Sequence, residues 1–339
     1  MTFIVIGHIF GGTDVLFNSV SAPIYTMQLG AAFFVFIAGW GMARTQKPRI
    51  LCAYQRLFPI LFYGGVCALL MSAVTWVQSQ DLAESNYLPL FLGVNVFLNY
   101  FPANPTTWYI GMYIHLVLFW WLLMPKKPTG IFLLLLQIEE LATRAELVEY
   151  GRSFTAYMML SNWLGVFVLG YLCREYGDRR VAAEGKSSAG WLVRSAGLVL
   201  LWFALLLVWR LSSRHLAFDG SFPFRLTELP MGSFWVSALV TVVYLANTSF
   251  AFSVFRRVRA PAIVQLISRN TLLIFILHMP LIYALAPKMR EMGVDVFERN
   301  VILVLLVLFG LSFVSELINR LVPLAQLQGR IQRLILPRV

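Results

Sequence analysis

Two histidines lie inside runs of apolar residues. An ionisable ring is unfavourable in free energy in such an environment. His8 lies in TFIVIGHIF (2–10) and His278 in LLIFILHMP (272–280). Ionisable groups within a membrane-grade segment usually face a polar cavity or a partner. Histidine titrates near neutral pH and can act as a general base, for example toward a hydroxyl that attacks a thioester. The alternative is a packing histidine whose hydrogen bond joins two helices.

Two further ionisable residues stand in apolar runs. His115 lies in TTWYIGMYIHLVLFWW (106–121), whose aromatic neighbours favour a packing role. Glu316 lies in FVSELINR (313–320), and we expect it to snorkel or to pair with Arg320, four residues later.

Basic residues cluster around one connector, at Arg44, Lys47, Arg49 and Arg56. Such a cluster can simply fix the orientation of a membrane protein. Alternatively, arginine binds phosphate through two parallel hydrogen bonds, which would suit a nucleotide-like donor from the cytosol. Both interpretations stay open on the residues alone.

The composition indicates an integral membrane protein. Of 339 residues, 59% are apolar and 13% are charged, whereas soluble domains have about 45–50% apolar and about 25% charged residues. The net charge of +11 comes from short connectors, which indicates anionic lipid rather than nucleic acid as the partner. No metal-ligand spacing, disulfide framework or nucleotide-binding motif occurs, so we predict no metal.

Apolar periodicity predicts an all-α polytopic protein with about ten transmembrane helices, the first of them truncated. The predicted spans are 1–10, 27–43, 57–77, 104–124, 129–138, 154–174, 190–211, 232–252, 268–287 and 299–320. With a cytoplasmic N-terminus, most Lys and Arg residues fall on the inner side, and both termini are cytoplasmic. Residues 1–320 would form one membrane domain, and 321–339 a cytoplasmic amphipathic basic tail; a solvated basic tail is the alternative.

Several short motifs together resemble the membrane acyltransferase-3 family of bacteria. They are an ending on Gly-His in VIGHIF (5–10), a Phe-Phe pair in AAFFVFIAGWGMAR (31–44), RLFP (56–59), TWY (107–109) and LLIFILHMP (272–280). Ala38-Gly39 stands where the family usually has Ser-Gly, and threonine replaces a histidine that often precedes the tryptophan motif. The match extends over most of the chain.

The resemblance implies an O-acyltransferase of the bacterial inner membrane. It would move an acyl group, by default acetyl, from cytosolic acyl-CoA to a hydroxyl of an envelope polysaccharide or a lipid-linked sugar. The site carried over to this chain has His8 and His278 as catalytic residues, with the donor held by the side chains of Arg44, Arg49, Arg56 and Trp108. The alternatives are a transporter or flippase of a polar or lipid-linked solute and a membrane scaffold with structural histidines.

One departure concerns the first helix. The family has an arginine eleven positions before its histidine, which would lie upstream of Met1. Ten helical residues rise about 15 Å, roughly half of a 30 Å hydrocarbon core. We therefore hypothesise that the natural chain begins earlier; with Met1 as its true start, the protein would be an inactive or altered member.

Overall fold

The computed structural model describes residues 1–10, 27–43, 45–79, 88–98, 107–181, 197, 200, 204, 232–255 and 261–336. These residues form helices and turns, with no strand among them. Helices are expected in lipid because they bond their backbone groups internally. The all-α prediction is confirmed. Arg44 and most of the predicted span 190–211 lie outside the described residues.

The chain divides into two compact units. The first comprises Met1–Asp14, Gln46–Lys126 and Pro261–Val339, and the second comprises Val15–Thr45 and Lys127–Ala260. The first unit holds α1 (Thr2–Phe10), α3 (Arg49–Ser79), α4 (Leu88–Phe91), α5 (Asn95–Leu98), α6 (Thr107–Leu122), α11 (Ala262–Arg269), α12 (Thr271–Glu291), α13 (Val296–Leu305), a π-helical turn (Leu306–Gly310), α14 (Leu311–Leu321) and α15 (Leu324–Ile335). The second unit holds α2 (Met27–Met42), α7 (Gly130–Glu149), α8 (Ser153–Met158), a 3₁₀ turn (Leu160–Asn162), α9 (Leu164–Val181) and α10 (Gly232–Phe255).

Four of the described helical segments are long and apolar enough to cross a membrane: Arg49–Leu70, Gly232–Ser253, Thr271–Glu291 and Val296–Leu321. Three shorter apolar helices accompany them, at Gly30–Met42, Thr107–Leu122 and Leu164–Arg174. These segments support the multi-pass interpretation.

In the first unit, the last apolar segment packs beside the first helix. Both α13 and the π-helical turn contact α1 and α12. Helix α12 also contacts α3, which in turn packs against α6 around a core of Ala68, Leu90, Ile110 and Ile114. A π-helical turn inside an α-helix is uncommon and often lies at a functional site.

In the second unit, α2 and α9 approach closely at two glycines. A Cβ on Gly39 would collide with the carbonyl oxygen of Phe167, and one on Gly170 would collide with that of Phe36. The two helices therefore place a glycine against a backbone carbonyl in both directions, as small residues allow in membrane helices. This contact explains the need for glycine at position 39.

Several predicted boundaries differ from the structure. Helix α3 begins at Arg49 rather than at 57, directly after Pro48, whose carbonyl accepts the first bond from the amide of Cys52. The segment 129–138 is part of a longer helix that runs to Glu149. The single predicted span 154–174 is interrupted by the 3₁₀ turn, where the side chains of Asn162 and Trp163 both donate to the carbonyl of Tyr157.

The predicted pairing of Glu316 was wrong in its main partner. Its carboxylate accepts hydrogen bonds from Arg269 Nε at 2.6 Å and Asn270 Nδ2 at 2.8 Å. Arg269 ends α11 and Asn270 separates it from α12, so the carboxylate of α14 holds this helix junction in place. The i, i+4 spacing to Arg320 gave no signal of this long-range pair.

Candidate active site

His278 lies on α12, where Pro280 alters the hydrogen bonding of the helix. Proline has no N–H, so the carbonyl of Ile276, four residues earlier, loses its helical partner. The buried thiol of Cys67 on α3 donates to this carbonyl, with a sulfur–oxygen distance of 3.8 Å. A neighbouring helix thereby supplies a donor to the carbonyl whose i+4 hydrogen bond the proline removes.

The ring of His278 is completely buried, and one of its nitrogens is fixed. Nδ1 lies 2.7 Å from the carbonyl oxygen of Phe275. Because a carbonyl can only accept, Nδ1 carries the hydrogen, and in the neutral ring Nε2 presents its lone pair. Nε2 is buried without a hydrogen-bond partner. A buried, unpartnered acceptor of this kind is suited to receive a proton from a substrate.

The second predicted histidine lies beside the first. The ring centroids of His8 on α1 and His278 are 5.2 Å apart, and the rings are tilted by 48°. His8 is half-buried, whereas His278 is fully enclosed. The two residues are 270 positions apart in the chain, so the fold brings together the pair that the sequence singled out.

A row of aromatic rings connects His278 with α6. Phe275 lies 5.8 Å from His278 between ring centroids, and Tyr109 lies 5.2 Å from Phe275. Tyr113 stacks on Tyr109 at 6.0 Å. The predicted donor-site residue Trp108 packs edge-on against Tyr109 at 5.8 Å.

Arg56 lies at the other end of this row. Its half-buried guanidinium makes hydrogen bonds with the side chains of Tyr113 and Cys52. The contacts thus run from Arg56 through Tyr113, Tyr109 and Phe275 to His278. All of these residues belong to the first unit.

Arg49, another predicted donor ligand, is partly engaged in joining two helices. Its Nη1 donates to the carbonyl oxygens of Trp120 at 3.2 Å and Met124 at 2.6 Å. The guanidinium also stands 5.4 Å over the ring of Trp120. Arg49 therefore binds the C-terminal end of α6, where a cation is favoured by the helix dipole.

Sequence analysis missed the most connected polar cluster among the described residues. Arg144 falls between the predicted spans 129–138 and 154–174, in a predicted connector, but it is completely buried on α7. It pairs with Glu140 at 2.5 Å and donates to Asn162, Ser237 and Thr241. The other carboxylate oxygen of Glu140 accepts from the amide of Gly165 at 2.8 Å. The i, i+4 spacing of Glu140 and Arg144 was a signal, but its partners come from α9, α10 and the 3₁₀ turn.

This cluster is a structural element of the second unit. The guanidinium donates through Nε, Nη1 and Nη2, and both carboxylate oxygens are bonded. A buried ion pair with its hydrogen-bonding groups occupied has little capacity left for a ligand. The histidine pair, with its open Nε2, is therefore the better candidate for chemistry.

The sequence profile of a family described as an acyltransferase domain matches residues 1–318. The chain belongs to the acyltransferase-3 family. No curated protein and no solved structure matches it. This acyltransferase is a multi-pass membrane protein, and the match covers both histidines and ends before α15.

Proposed function

We propose that this acyltransferase moves an acetyl group from cytosolic acetyl-CoA to a hydroxyl of an envelope carbohydrate or lipid-linked sugar. The observation that carries the proposal is the contact between His8 and His278. Nε2 of His278 is buried and has no hydrogen-bond partner. Family membership supports acyl transfer, and the apolar helices support a reaction within a membrane.

In the proposed reaction, Nε2 of His278 takes the proton of the acceptor hydroxyl. The oxygen attacks the thioester carbonyl of the donor, an ester forms, and the carbon–sulfur bond breaks. The coenzyme leaves as a thiolate and receives a proton from the imidazolium. His8, whose ring lies against that of His278, orients the hydroxyl or shares the proton.

The donor would be held by the residues at the far end of the aromatic row. Arg56 is the preferred phosphate ligand, because it lies two turns inside α3, is only partly covered, and is linked through Tyr113 to the row that leads to His278. Arg49 is the weaker candidate, since its Nη1 already donates to two carbonyls. Trp108 would pack against the donor, and Arg44 would add charge from the same basic connector.

The proposed setting is the bacterial inner membrane with both termini in the cytoplasm. The bias of Lys and Arg toward one set of connectors supports this orientation. Arg56 would then face the cytosolic donor, and the histidine pair would face an acceptor that arrives from the outer side.

A transfer assay with the purified protein tests the proposal. Radiolabelled acetyl-CoA is supplied with an envelope glycan extract, and ester-linked label on the glycan is counted. We expect transfer by the wild type and background levels for His8→Ala, while His115→Ala retains transfer. His115 is a matched control because it is also a half-buried histidine of the first unit, stacked on Phe97 at 5.0 Å. Equal transfer by His8→Ala and the wild type would contradict the proposal.

A further inference from the structure

Helix α15 carries an apolar stripe that protein only partly covers. Leu324, Leu327, Ile331 and Leu334 recur at spacings of three and four, so they lie on one side of the helix. The side chain of Leu334 is 81% exposed and that of Ile335 is 62% exposed. None of the residues of α15 is buried.

The position of α15 is fixed by two apolar segments. Only Val322 and Pro323 separate it from α14, the end of the segment Val296–Leu321, and the three Cα–Cα steps from Leu321 to Leu324 reach about 11 Å at most. One face of α15 is hydrogen-bonded to the first turns of α3, where the candidate span Arg49–Leu70 starts. The hydroxyl of Tyr54 donates to the carbonyl of Gln328 at 2.8 Å, and Gln328 Nε2 donates to the carbonyl of Gln55 at 3.0 Å. Helix α15 therefore lies beside the start of one candidate span and the end of another.

Charge is arranged along one edge of the apolar stripe. At 100° per residue, Arg330 and Arg333 lie on the side of the stripe opposite to Gln328 and Gln332, which face α3. Both arginines are exposed. The sequence contains no Asp or Glu after Glu316, so no acidic residue of α15 itself neutralises them.

We propose that α15 lies in the headgroup layer of the membrane and binds anionic phospholipids. Its leucines and Ile335 would enter the upper acyl region, while Arg330 and Arg333 would bind lipid phosphates. A water-soluble phosphate would bond the arginines but would leave the exposed leucines uncovered, so a lipid surface suits the helix better. The family match ends at residue 318, so α15 lies outside the matched residues.

The experiment measures lipid binding to the full-length protein by native mass spectrometry. Phosphatidylglycerol and phosphatidylcholine are titrated separately onto the wild type and onto Arg330→Gln/Arg333→Gln. We expect the double substitution to weaken phosphatidylglycerol binding by roughly 30-fold, which corresponds to the attraction of two basic residues to an anionic surface. Phosphatidylcholine binding should not change.

The matched control is Lys288→Gln/Arg290→Gln, which removes the same charge from exposed residues in the last turn of α12. It should retain wild-type affinity for phosphatidylglycerol. Equal losses in both double variants would show a general effect of net charge and would overturn the proposal. Unchanged phosphatidylglycerol binding in Arg330→Gln/Arg333→Gln would also overturn it.

Two further measurements separate a lipid from a soluble phosphate and guard against misfolding. Acetyl-CoA and inorganic phosphate are titrated onto the same variants; a selective loss of either, with phosphatidylglycerol binding intact, would contradict the lipid assignment. Hydrogen exchange in nanodiscs is compared between the wild type and Leu334→Gln/Ile335→Gln. Faster exchange confined to 324–335 is expected in this variant, and unchanged exchange there would count against insertion of the stripe.

Discussion

The imidazole rings of His8 and His278 are 5.2 Å apart, although 270 positions separate them in the chain. Two constraints hold the second ring in place. The carbonyl of Phe275 fixes its Nδ1, and Pro280 and Cys67 shape the helix around it. The remaining nitrogen of His278 is thereby left as a buried acceptor close to His8.

Substitution of Arg56 tests the donor site. Arg56→Ala should raise the KM for acetyl-CoA about 10- to 100-fold, because a charge-assisted hydrogen bond to phosphate contributes about 1.5–3 kcal/mol. The kcat should change little, since Arg56 is far along the aromatic row from the proposed reacting atoms. Arg56→Lys should recover part of the affinity by keeping the charge without the planar fork.

Arg320→Ala is the control for this measurement, as it removes a charge from the last turn of α14. It should leave the KM for acetyl-CoA unchanged. If both alanine variants had the same KM as the wild type, the basic connector would serve orientation only.

The bond between Cys67 and Ile276 can be tested with a double-mutant cycle. Cys67→Ala should destabilise the protein by about 1 kcal/mol, since it removes the hydrogen bond from the thiol to the carbonyl of Ile276. In a Pro280→Ala background the new N–H can bond the carbonyl of Ile276 within the helix, and Cys67→Ala should then cost less. Thermal unfolding in detergent measures the destabilisation by Cys67→Ala in both backgrounds. An identical loss of stability in the two backgrounds would show that the thiol does not replace the hydrogen bond that the proline removes.

Removal of Arg144 should destabilise the second unit strongly. Arg144→Ala leaves the buried carboxylate of Glu140 unpaired, and breaking such a pair costs about 3–5 kcal/mol. Arg152→Ala, at an exposed arginine near the start of α8, should change stability by less than about 0.5 kcal/mol. Melting temperatures of the two variants provide the comparison. Similar values would mean that the buried cluster contributes little.

The glycine contact between α2 and α9 predicts opposite effects for two similar substitutions. Gly39→Ala places a methyl group against the carbonyl of Phe167 and should destabilise the protein by about 1–3 kcal/mol. Gly130→Ala, where nothing lies within 4 Å of the added carbon, should be neutral or stabilising by up to about 1 kcal/mol. Thermal unfolding again distinguishes them, and a stable Gly39→Ala variant would contradict the close approach.

The sequence predicted those features that depend on residues close together in the chain. Apolar runs predicted the helices, because each span must be apolar over its own length, and His8 and His278 were found because an ionisable residue is conspicuous there. The pairing of Glu316 with Arg269 and the burial of Arg144 depend on residues far away in the chain. Arg144 was taken for a connector residue because hydropathy counts it as polar, whereas six side-chain and backbone acceptors make its burial possible. The role of Cys67 was equally hidden, since it depends on a proline on another helix.

The helix breaks also depend on contacts that a local sequence pattern does not contain. Asn162 and Asn270 are ordinary residues in sequence terms, yet each interrupts a predicted span through its contacts with neighbouring segments. Pro280, by contrast, lies within the continuous helix α12, as the single predicted span 268–287 implies, and Cys67 donates to the carbonyl of Ile276 beside it.

The most direct test of the account compares two amide substitutions at His278. In His278→Asn the amide nitrogen can take the place of Nδ1 and donate to Phe275, but no acceptor remains at the position of Nε2; in His278→Gln the terminal oxygen can lie near Nε2 but is too weak a base to take the proton. The account predicts that His278→Asn retains the wild-type melting temperature while the kcat of acetyl transfer falls by about 100-fold or more, with His278→Gln equally impaired. Acetyl transfer at the wild-type rate by a folded His278→Asn would contradict it.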